Sequence, residues 1–495
     1  MDRSNRTAET VTIHWEGQPV KAQAGQDVAS ALYAAGIPVL GRSRKFHRPQ
    51  GLGGVFVAGV KAAVDGLPNR RLDQTPVKAG LSIRMQNTWP NGRLDLLRLA
   101  GLIPRRWLRG GFEHPAWLPG GSSRFQLWES FLRFMAGGGA AADPTLAGAT
   151  LPGERRRVDV AIVGGGPGGR KAAIDAAASG ASVLVISRGR EPGATAAALG
   201  AALPDLPQGA SLLAGWDACG LYRRGTLLLC TPLDGGPAKL IEAKRIILAT
   251  GRRSIPPLVS GADLPCVFDL STATTLLRQH IDLGRAVLIG TGDLAALRER
   301  LAGLGAHITA AHPATSLRRI SGSNRVERLE FASGTMECDA LIHAGPWRSD
   351  PALPFQAAAD GEFRLGADAR PTHIEIVGSA AEGDEAITHG SALDDHAFVC
   401  PCMDVTVGEI RDLVESSVSH VEELKRLTGC GVGPCQGFPC WDLLAAALAE
   451  ITGEPATSFG HPSYRAPRGA LSIAQAAGLA DLVTPQAEPE PKAAS

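Results

Sequence analysis

"VDVAIVGGGPGGRKAAIDAAASGASVLVIS", residues 158–187, decides the fold. An apolar run ends in a glycine turn, an alanine-rich stretch follows, and a second apolar run closes the unit. Strand, turn, helix and strand in that order make a βαβ unit, whose parallel strands, buried on both faces, read as continuous apolar runs. Gly164 makes the tight turn, Gly166 lets a pyrophosphate approach backbone amides, and Gly169 lets helix and strand pack.

The second run ends in Ser187, Arg188, Gly189 and Arg190, where such a turn usually keeps an acid for the adenosine ribose. Three readings stay open. The turn can hold FAD through backbone amides with weakened ribose contacts. Arg188 and Arg190 can instead greet a phosphate, which favours NADP. Or the fold is kept as structure, with no nucleotide bound.

"ILATG" (Ile247 to Gly251, with Thr250 and Gly251 in the turn) resembles the strand and turn of two-dinucleotide flavoproteins of the glutathione-reductase type. In those proteins it passes close to the flavin nucleotide. "HIEIVGSAAEG" resembles their segment in which a strand runs into Gly-Asp, but here Ser379 follows Gly378. A second unit begins at "AVLIGTGDLAALRERLAGLGAHITAAH", with Gly290, Gly292 and Ala295 echoing the first turn and again no acid after its second strand. One dinucleotide-type domain inserted in another, at about 284–345, is the economical layout for 158–390.

Before this core, "TVTIHWEGQPVKAQAG" and "QDVASALYAAGI" read as two strands around Glu16-Gly17 and a short helix closed by Gly36, a β-grasp opening over 1–90. Residues 91–157, with Trp107, Trp117 and Trp128 among prolines and glycines, read as connector and linker, and Arg155 to Arg157 as solvated linker. After it, 391–470 is helical, with capping boxes at Thr406 to Glu409 and Ser419 to Glu422 and a further helix after Cys440. Residues 471–495 read as a partly disordered tail. The fold class is α/β.

With 495 residues, 44% of them hydrophobic, the chain can fill several cores, and 50 basic against 49 acidic residues create no overall field for nucleic acid or membrane. The N-terminus has no apolar leader and no stretch is long enough to span a bilayer, so a cytoplasmic protein is expected. None of the nine cysteines precedes Cys219, and five crowd between Cys400 and Cys440. That distribution suits a metal site rather than a disulfide framework.

The spacing is Cys400-x-Cys402, 32 residues, then Cys435-x4-Cys440. Two loop-borne pairs of thiolates can each hold one iron of a [2Fe-2S] cluster. Zinc competes, although C-x-C is a tight bite for it, and so does a set of buried thiols with no metal. Cys430 is either a substitute ligand or a small residue in a glycine turn. Cys219, Cys230, Cys266 and Cys338 are isolated and read as core thiols.

"GRSRKFHRPQG" (41–51), "QNTWP" (86–90), "FVCPCMDVTVGEIRDLV" (398–414), "VEELKRLTGCGVGPCQG" (421–437) and "SYRAPRGALSIAQAAGLA" (463–480) together resemble the α subunit of heterotetrameric sarcosine oxidase. The α subunits of opine, hydroxyproline and proline dehydrogenase complexes and of hydrogen cyanide synthase are similar. The resemblance stops before the folate-binding half of the sarcosine oxidase subunit. It implies a glutathione-reductase-type FAD/NAD(P)-binding core, an N-terminal ferredoxin-like β-grasp and a small C-terminal [2Fe-2S] domain like bacterioferritin-associated ferredoxin. Cys400, Cys402, Cys435 and Cys440 fall on its cluster positions.

The β-grasp itself has no cysteine, so it holds no cluster. Its basic residues Arg42, Arg44, Lys45, His47 and Arg48 either face a flavin phosphate or partner subunit or form a solvated loop.

What the resemblance implies is an electron-transfer α subunit of a hetero-oligomeric amine or amino-acid dehydrogenase. An FAD-containing, amino-acid-oxidase-like β subunit would oxidise the substrate, with small further subunits in some complexes. Electrons would pass an interface FMN to the cluster. No residue reads as a substrate-side base or nucleophile. The alternatives are an NAD(P)H-dependent flavin and iron–sulfur reductase, and a non-catalytic interaction subunit with relic nucleotide sites.

Overall fold

The computed structural model describes residues 9–53, 59–102, 130, 134, 150–223, 225–358, 371–388, 392–469 and 471–483. The tryptophans at 107, 117 and 128 and the tail 484–495 lie outside them.

Strand Thr10–Trp15 alternates exposed and buried residues, the pattern of a half-buried strand. It pairs antiparallel with Gln18–Gln23 through a turn in which Glu16 (φ 49°) and Gly17 (φ 77°) are both left-handed. Ser82–Arg84 joins it in parallel, and Lys61–Val64 and Leu67–Arg71 complete a five-stranded sheet. Helix Val28–Ala34, capped by the Asp27 carboxylate on Ser30 N–H (2.8 Å), covers that sheet. This is the expected β-grasp.

The core sheet runs Ser211–Ala214, Val183–Ser187, Glu154–Val163 and Lys239–Leu248, all parallel, with Ile374–Ile376 added to the last. Helix Pro167–Ala178 covers one face against Val160, Ile162, Val185 and Ile247, all at most 3% exposed. The first strand begins at Glu154, not after the arginines. Arg155 and Arg157 therefore lie in the sheet and bond Glu242, while Arg156 bonds Ser211, which corrects their reading as solvated linker.

The inserted domain has its own parallel sheet, Val267–Asp269, Ala340–Ala344, Arg285–Gly290 and His307–Pro313. A three-stranded antiparallel sheet follows His307–Pro313. The antiparallel pair Arg252–Ser254 and Trp347–Ser349 carries the chain in and out.

The C-terminal module is a hairpin, Phe398–Cys400 with Val405–Thr406, and helices Val407–Glu415, Val421–Thr428 and Cys440–Thr452. Thr406 caps the first helix as expected, but the second is capped by His420 on Glu422 N–H rather than by Ser419. Part of the supposed tail is helix Ile473–Val483. Its Leu479 packs on Leu227, Leu229 and Leu240, and Gln475 bonds Gly236 O at 2.7 Å. The Pro/Ala/Glu-rich stretch that carries the disorder signal, 484–495, lies outside the described residues. Among the described residues no helix is long and apolar enough to cross a membrane.

The β-grasp and the C-terminal module share one hydrophobic core, in which Ile13, Leu32 and Ile83 belong to the same cluster as Val399, Val405 and Trp441.

Candidate iron–sulfur and dinucleotide site

The hairpin turn presents Cys400 and Cys402, the loop before the last helix presents Cys435, and Cys440 is that helix's first residue. Sγ separations are 3.8 Å for Cys400 and Cys402, 3.2 Å for Cys402 and Cys435, and 3.5 Å for Cys435 and Cys440. All four sulfurs lie within 4.8 Å of one another, and all four residues are buried.

The glycines of "GCGVGPCQG" are required by packing. A Cβ on Gly431 or Gly437 would overlap the Trp441 ring, and both have positive φ, where a side chain is strained. Gly437 N–H points at Cys435 Sγ (3.4 Å), a donor that favours a thiolate. Trp441 stacks on His461 and meets Tyr464 at a tilt, closing the site on that side.

The thiols contrast with the isolated ones. Burial pushes Cys219, Cys266 and Cys338 up to about 12, and Cys230 also upward, leaving inert core thiols as expected. Cys400 is instead held well below the usual thiol range, first by hydrogen bonding from Cys402 and then from Cys430, Cys435 and Cys440. The Cys400 sulfur in turn raises Cys440 and Cys402, so one thiolate forms easily and further ones are opposed. Four buried sulfurs within 4.8 Å of one another are a group that can hold a metal. Its all-sulfur donor set fits an iron–sulfur cluster. Cys430 is buried beside Cys400 but outside the four-sulfur group.

Part of the basic loop 42–48 is engaged inside the chain rather than solvated. Arg48 donates Nε and Nη2 to Asp404 Oδ1 (2.9 and 2.5 Å) and Nη2 to Pro401 O (3.1 Å). It also pairs with Asp263 of the core and lies 3.6 Å over the Phe398 ring. Lys45 N–H and Phe46 N–H bond Asp404 Oδ2 (2.6 and 3.4 Å), and His47 faces Asp95. The loop clamps the cysteine hairpin to two other domains. Asp404, fully buried and the acceptor of the clamp, was not recognised from the sequence. The signal for it was an arginine-rich loop with no carboxylate of its own.

At the core sheet, the glycine turn keeps its expected geometry. A Cβ on Gly164 would overlap Ala249 O, and one on Gly169 would overlap Gly164 O. Around Gly166 there is open space, and it caps helix Pro167–Ala178 with no side chain on the first amides. Such an uncapped N-terminus fits a pyrophosphate. Gly378 packs against Gly168, and Ser379 Oγ lies 3.6 Å from where a Cβ on Gly251 would stand. The fold thus gathers Gly164, Gly166, Gly169, Ser187, Thr250, Gly251, Gly378 and Ser379 at the carboxyl edge of one sheet, where open α/β sheets bind ligands.

Two predicted site features do not join them. Ser187, the last residue of its strand, stands beside Gly165, whereas Arg188 lies past the strand end and meets the β-grasp. With its oxygen turned toward them, the Gln74 carboxamide accepts from Arg188 Nη2 (2.8 Å) and Arg71 Nη1 (3.2 Å). Gly290 and Gly292 lie on the inserted sheet, where the Asp293 carboxylate caps the helix by accepting from Ala296 N–H (3.0 Å). A carboxylate already there opposes a phosphate at that turn.

Fold and site together define an oxidoreductase class: a two-dinucleotide FAD/NAD(P)-type core joined to a tetrathiolate iron–sulfur module. Family comparisons agree. Residues 8–88 match a 2Fe-2S iron-sulfur cluster binding domain, 158–329 the pyridine nucleotide-disulphide oxidoreductases, and 394–479 the sarcosine oxidase A3 domain. Since 8–88 contain no cysteine, that segment keeps the fold of its family without cluster cysteines, and the four gathered thiols lie in the third segment.

The chain is similar to sarcosine oxidase α subunits. It is 27% identical to the sarcosine oxidase α subunit of Rhizobium meliloti over 92% of its own length and 56% of that protein, so it spans about half of that relative. Over 16% of the chain it is 36% identical to hydrogen cyanide synthase subunit HcnA of Pseudomonas aeruginosa, covering 75% of that subunit. The crystal structure of L-proline dehydrogenase from P. horikoshii shares the fold, with a TM-score of 0.69 and 20% identity over 95% of this chain and 98% of that one.

Proposed function

We propose that this chain is the electron-transfer α subunit of a hetero-oligomeric, flavin-dependent dehydrogenase or oxidase of secondary amines such as sarcosine, proline or opines. A β subunit carrying FAD oxidises the amine, and electrons leave it through an interface flavin such as FMN toward this chain. The observation that carries this reading is the four-sulfur group, Cys400, Cys402, Cys435 and Cys440, built into a module that shares its core with the β-grasp. Its support is the kinship with sarcosine and opine oxidase subunits.

A [2Fe-2S] cluster held by these thiolates supplies one-electron transfer. The chain's own residues make that site. Gly437 N–H and the amino end of helix Cys440–Thr452 direct positive dipole toward the thiolates, which eases reduction there. Trp441 and Phe438, both buried, exclude water from the sulfurs. Arg48 and Asp404 fix the hairpin that carries Cys400 and Cys402. The first glycine turn holds the dinucleotide pyrophosphate. Feeding by NAD(P)H finds no support at the second turn, where Asp293 stands.

The test is to purify the chain with its β subunit and measure iron, acid-labile sulfide, zinc and released flavin. The cluster absorbance should bleach on anaerobic addition of sarcosine or proline. Zinc in place of iron, or no bleaching by any secondary amine, overturns the reading.

A further inference from the structure

Large apolar side chains crowd one short stretch of the surface. Trp89, Leu94, Leu96, Leu99 and Leu102 are each between 44% and 81% exposed, whereas other exposed hydrophobics among the described residues, such as Ile174, Leu212 and Val432, stand singly along the chain. Single exposed leucines are ordinary, but a run of them marks an interaction surface.

The run is not a frayed end. Asp95, whose side chain is 1% exposed, accepts from Trp89 N–H and Leu97 N–H (both 3.1 Å) and faces His47 Nδ1 (3.2 Å). Asn91 Oδ1 accepts from Arg93 N–H and Leu94 N–H (both 3.0 Å), and Glu16 Oε2 accepts from Gly92 N–H (3.1 Å). A 3-10 helix, Leu96–Leu102, carries the remaining leucines. Polar contacts beneath thus fix the backbone while the apolar side chains face solvent.

The charges of this ridge have one sign. Arg93 and Arg98 are its exposed charged residues, since Asp95 is buried and bonded. Arg42 adds to them from the basic loop, where burial first, and then Arg98, lower it from its ordinary value. A rigid apolar ridge with a basic rim is complementary to an apolar groove with an acidic rim. A second copy of this chain fits poorly, because a two-fold contact would set the arginines of one ridge against those of the other.

We propose that this ridge, Trp89 to Leu102, is the docking face for the FAD-carrying β subunit, which meets it with an apolar groove rimmed by carboxylates. Leu99 and Leu102 fill the groove, and Arg93 and Arg98 pair with its rim. Through Asp95 and His47 the ridge is joined to the loop whose Lys45, Phe46 and Arg48 hold Asp404, so docking there braces the cysteine hairpin. The inference rests on the hetero-oligomer of the proposed function.

The test is interferometric binding of the full chain to the immobilised, FAD-loaded β subunit. Leu99→Asp combined with Leu102→Asp should weaken binding at least about thirtyfold, the effect of losing a central apolar anchor. Arg98→Glu should slow association and lessen its salt dependence. Leu212→Asp, at an exposed leucine of the core sheet, should bind as the parent does. Amide exchange over 94–102 should slow when the β subunit is added. Circular dichroism and iron content check that each variant folds. No binding by the parent overturns the hetero-oligomer and this inference together. Parent-like binding by the double variant, no slowing of exchange over 94–102, or self-association of the chain that the double variant abolishes overturns this inference alone.

Discussion

Replacing Arg48 with alanine should loosen the cysteine hairpin without touching a cysteine. The guanidinium spans Asp404, Asp263, Pro401 O and the Phe398 ring, and its side chain is 16% exposed while that of Asp404 is fully buried. Alanine leaves the Asp404 carboxylate buried, with only the amides of Lys45 and Phe46 as donors. Breaking a buried pair from one side costs about 3–5 kcal/mol, and the partial exposure of Arg48 argues for the lower end. About 3 kcal/mol is a change of roughly a hundredfold in the opening equilibrium.

Native-state hydrogen exchange of the peptide around 398–410 reads that equilibrium directly, without assuming that a multi-domain chain unfolds in one step. Its protection should fall by about two orders of magnitude in Arg48→Ala. Adding Asp404→Asn should recover part of the loss, because the stranded charge is then gone. Protection within about threefold of the parent in Arg48→Ala, or a further loss in the double variant, would refute the clamp; neither fits a desolvated ion pair of this size.

The other expectations concern the cluster thiols, their packing and the inserted domain. Cys402→Ser should bring iron and acid-labile sulfide to background, whereas Cys230→Ser, at an isolated core thiol, should leave both in place; metal analysis of the two variants separates them. Gly431→Ala forces a methyl into the Trp441 ring at φ 74° and should cost about 2–4 kcal/mol from overpacking and backbone strain, seen as a lower midpoint for loss of cluster absorbance in urea.

His343 is buried, its Nδ1 shares a hydrogen bond with Ser254 Oγ (2.7 Å), and Ser254 Oγ accepts from Gly345 N–H. Burial lowers His343 to about 4 from an ordinary 6.5, so its contribution is complete above pH 6.5 and is lost as pH falls toward 4. The loss should be about 3 kcal/mol, and His343→Gln should flatten that part of the stability profile; an unchanged slope would refute it.

The sequence by itself determined the parts. Apolar runs around glycine turns specify both parallel sheets, the alternation in Thr10–Trp15 specifies the β-grasp, and C-x-C with C-x4-C picks out the four thiols that the fold gathers, because each signal is local and a few residues long. The missing ribose acid was also visible there, at Ser187.

Tertiary structure decided what meets what. Whether residues 473–483 stay a tail depends on the apolar face of strands more than two hundred positions earlier. The partner of Arg48 is 356 residues away, and no spacing rule reaches that far. That Arg188 meets Gln74 of the β-grasp follows only from the docking of that domain. Glycine turns and cysteine pairs are dictated by backbone geometry and bond angles close at hand. The charges around them find their partners only when the domains close, since an ion pair constrains distance in space and not separation along the chain.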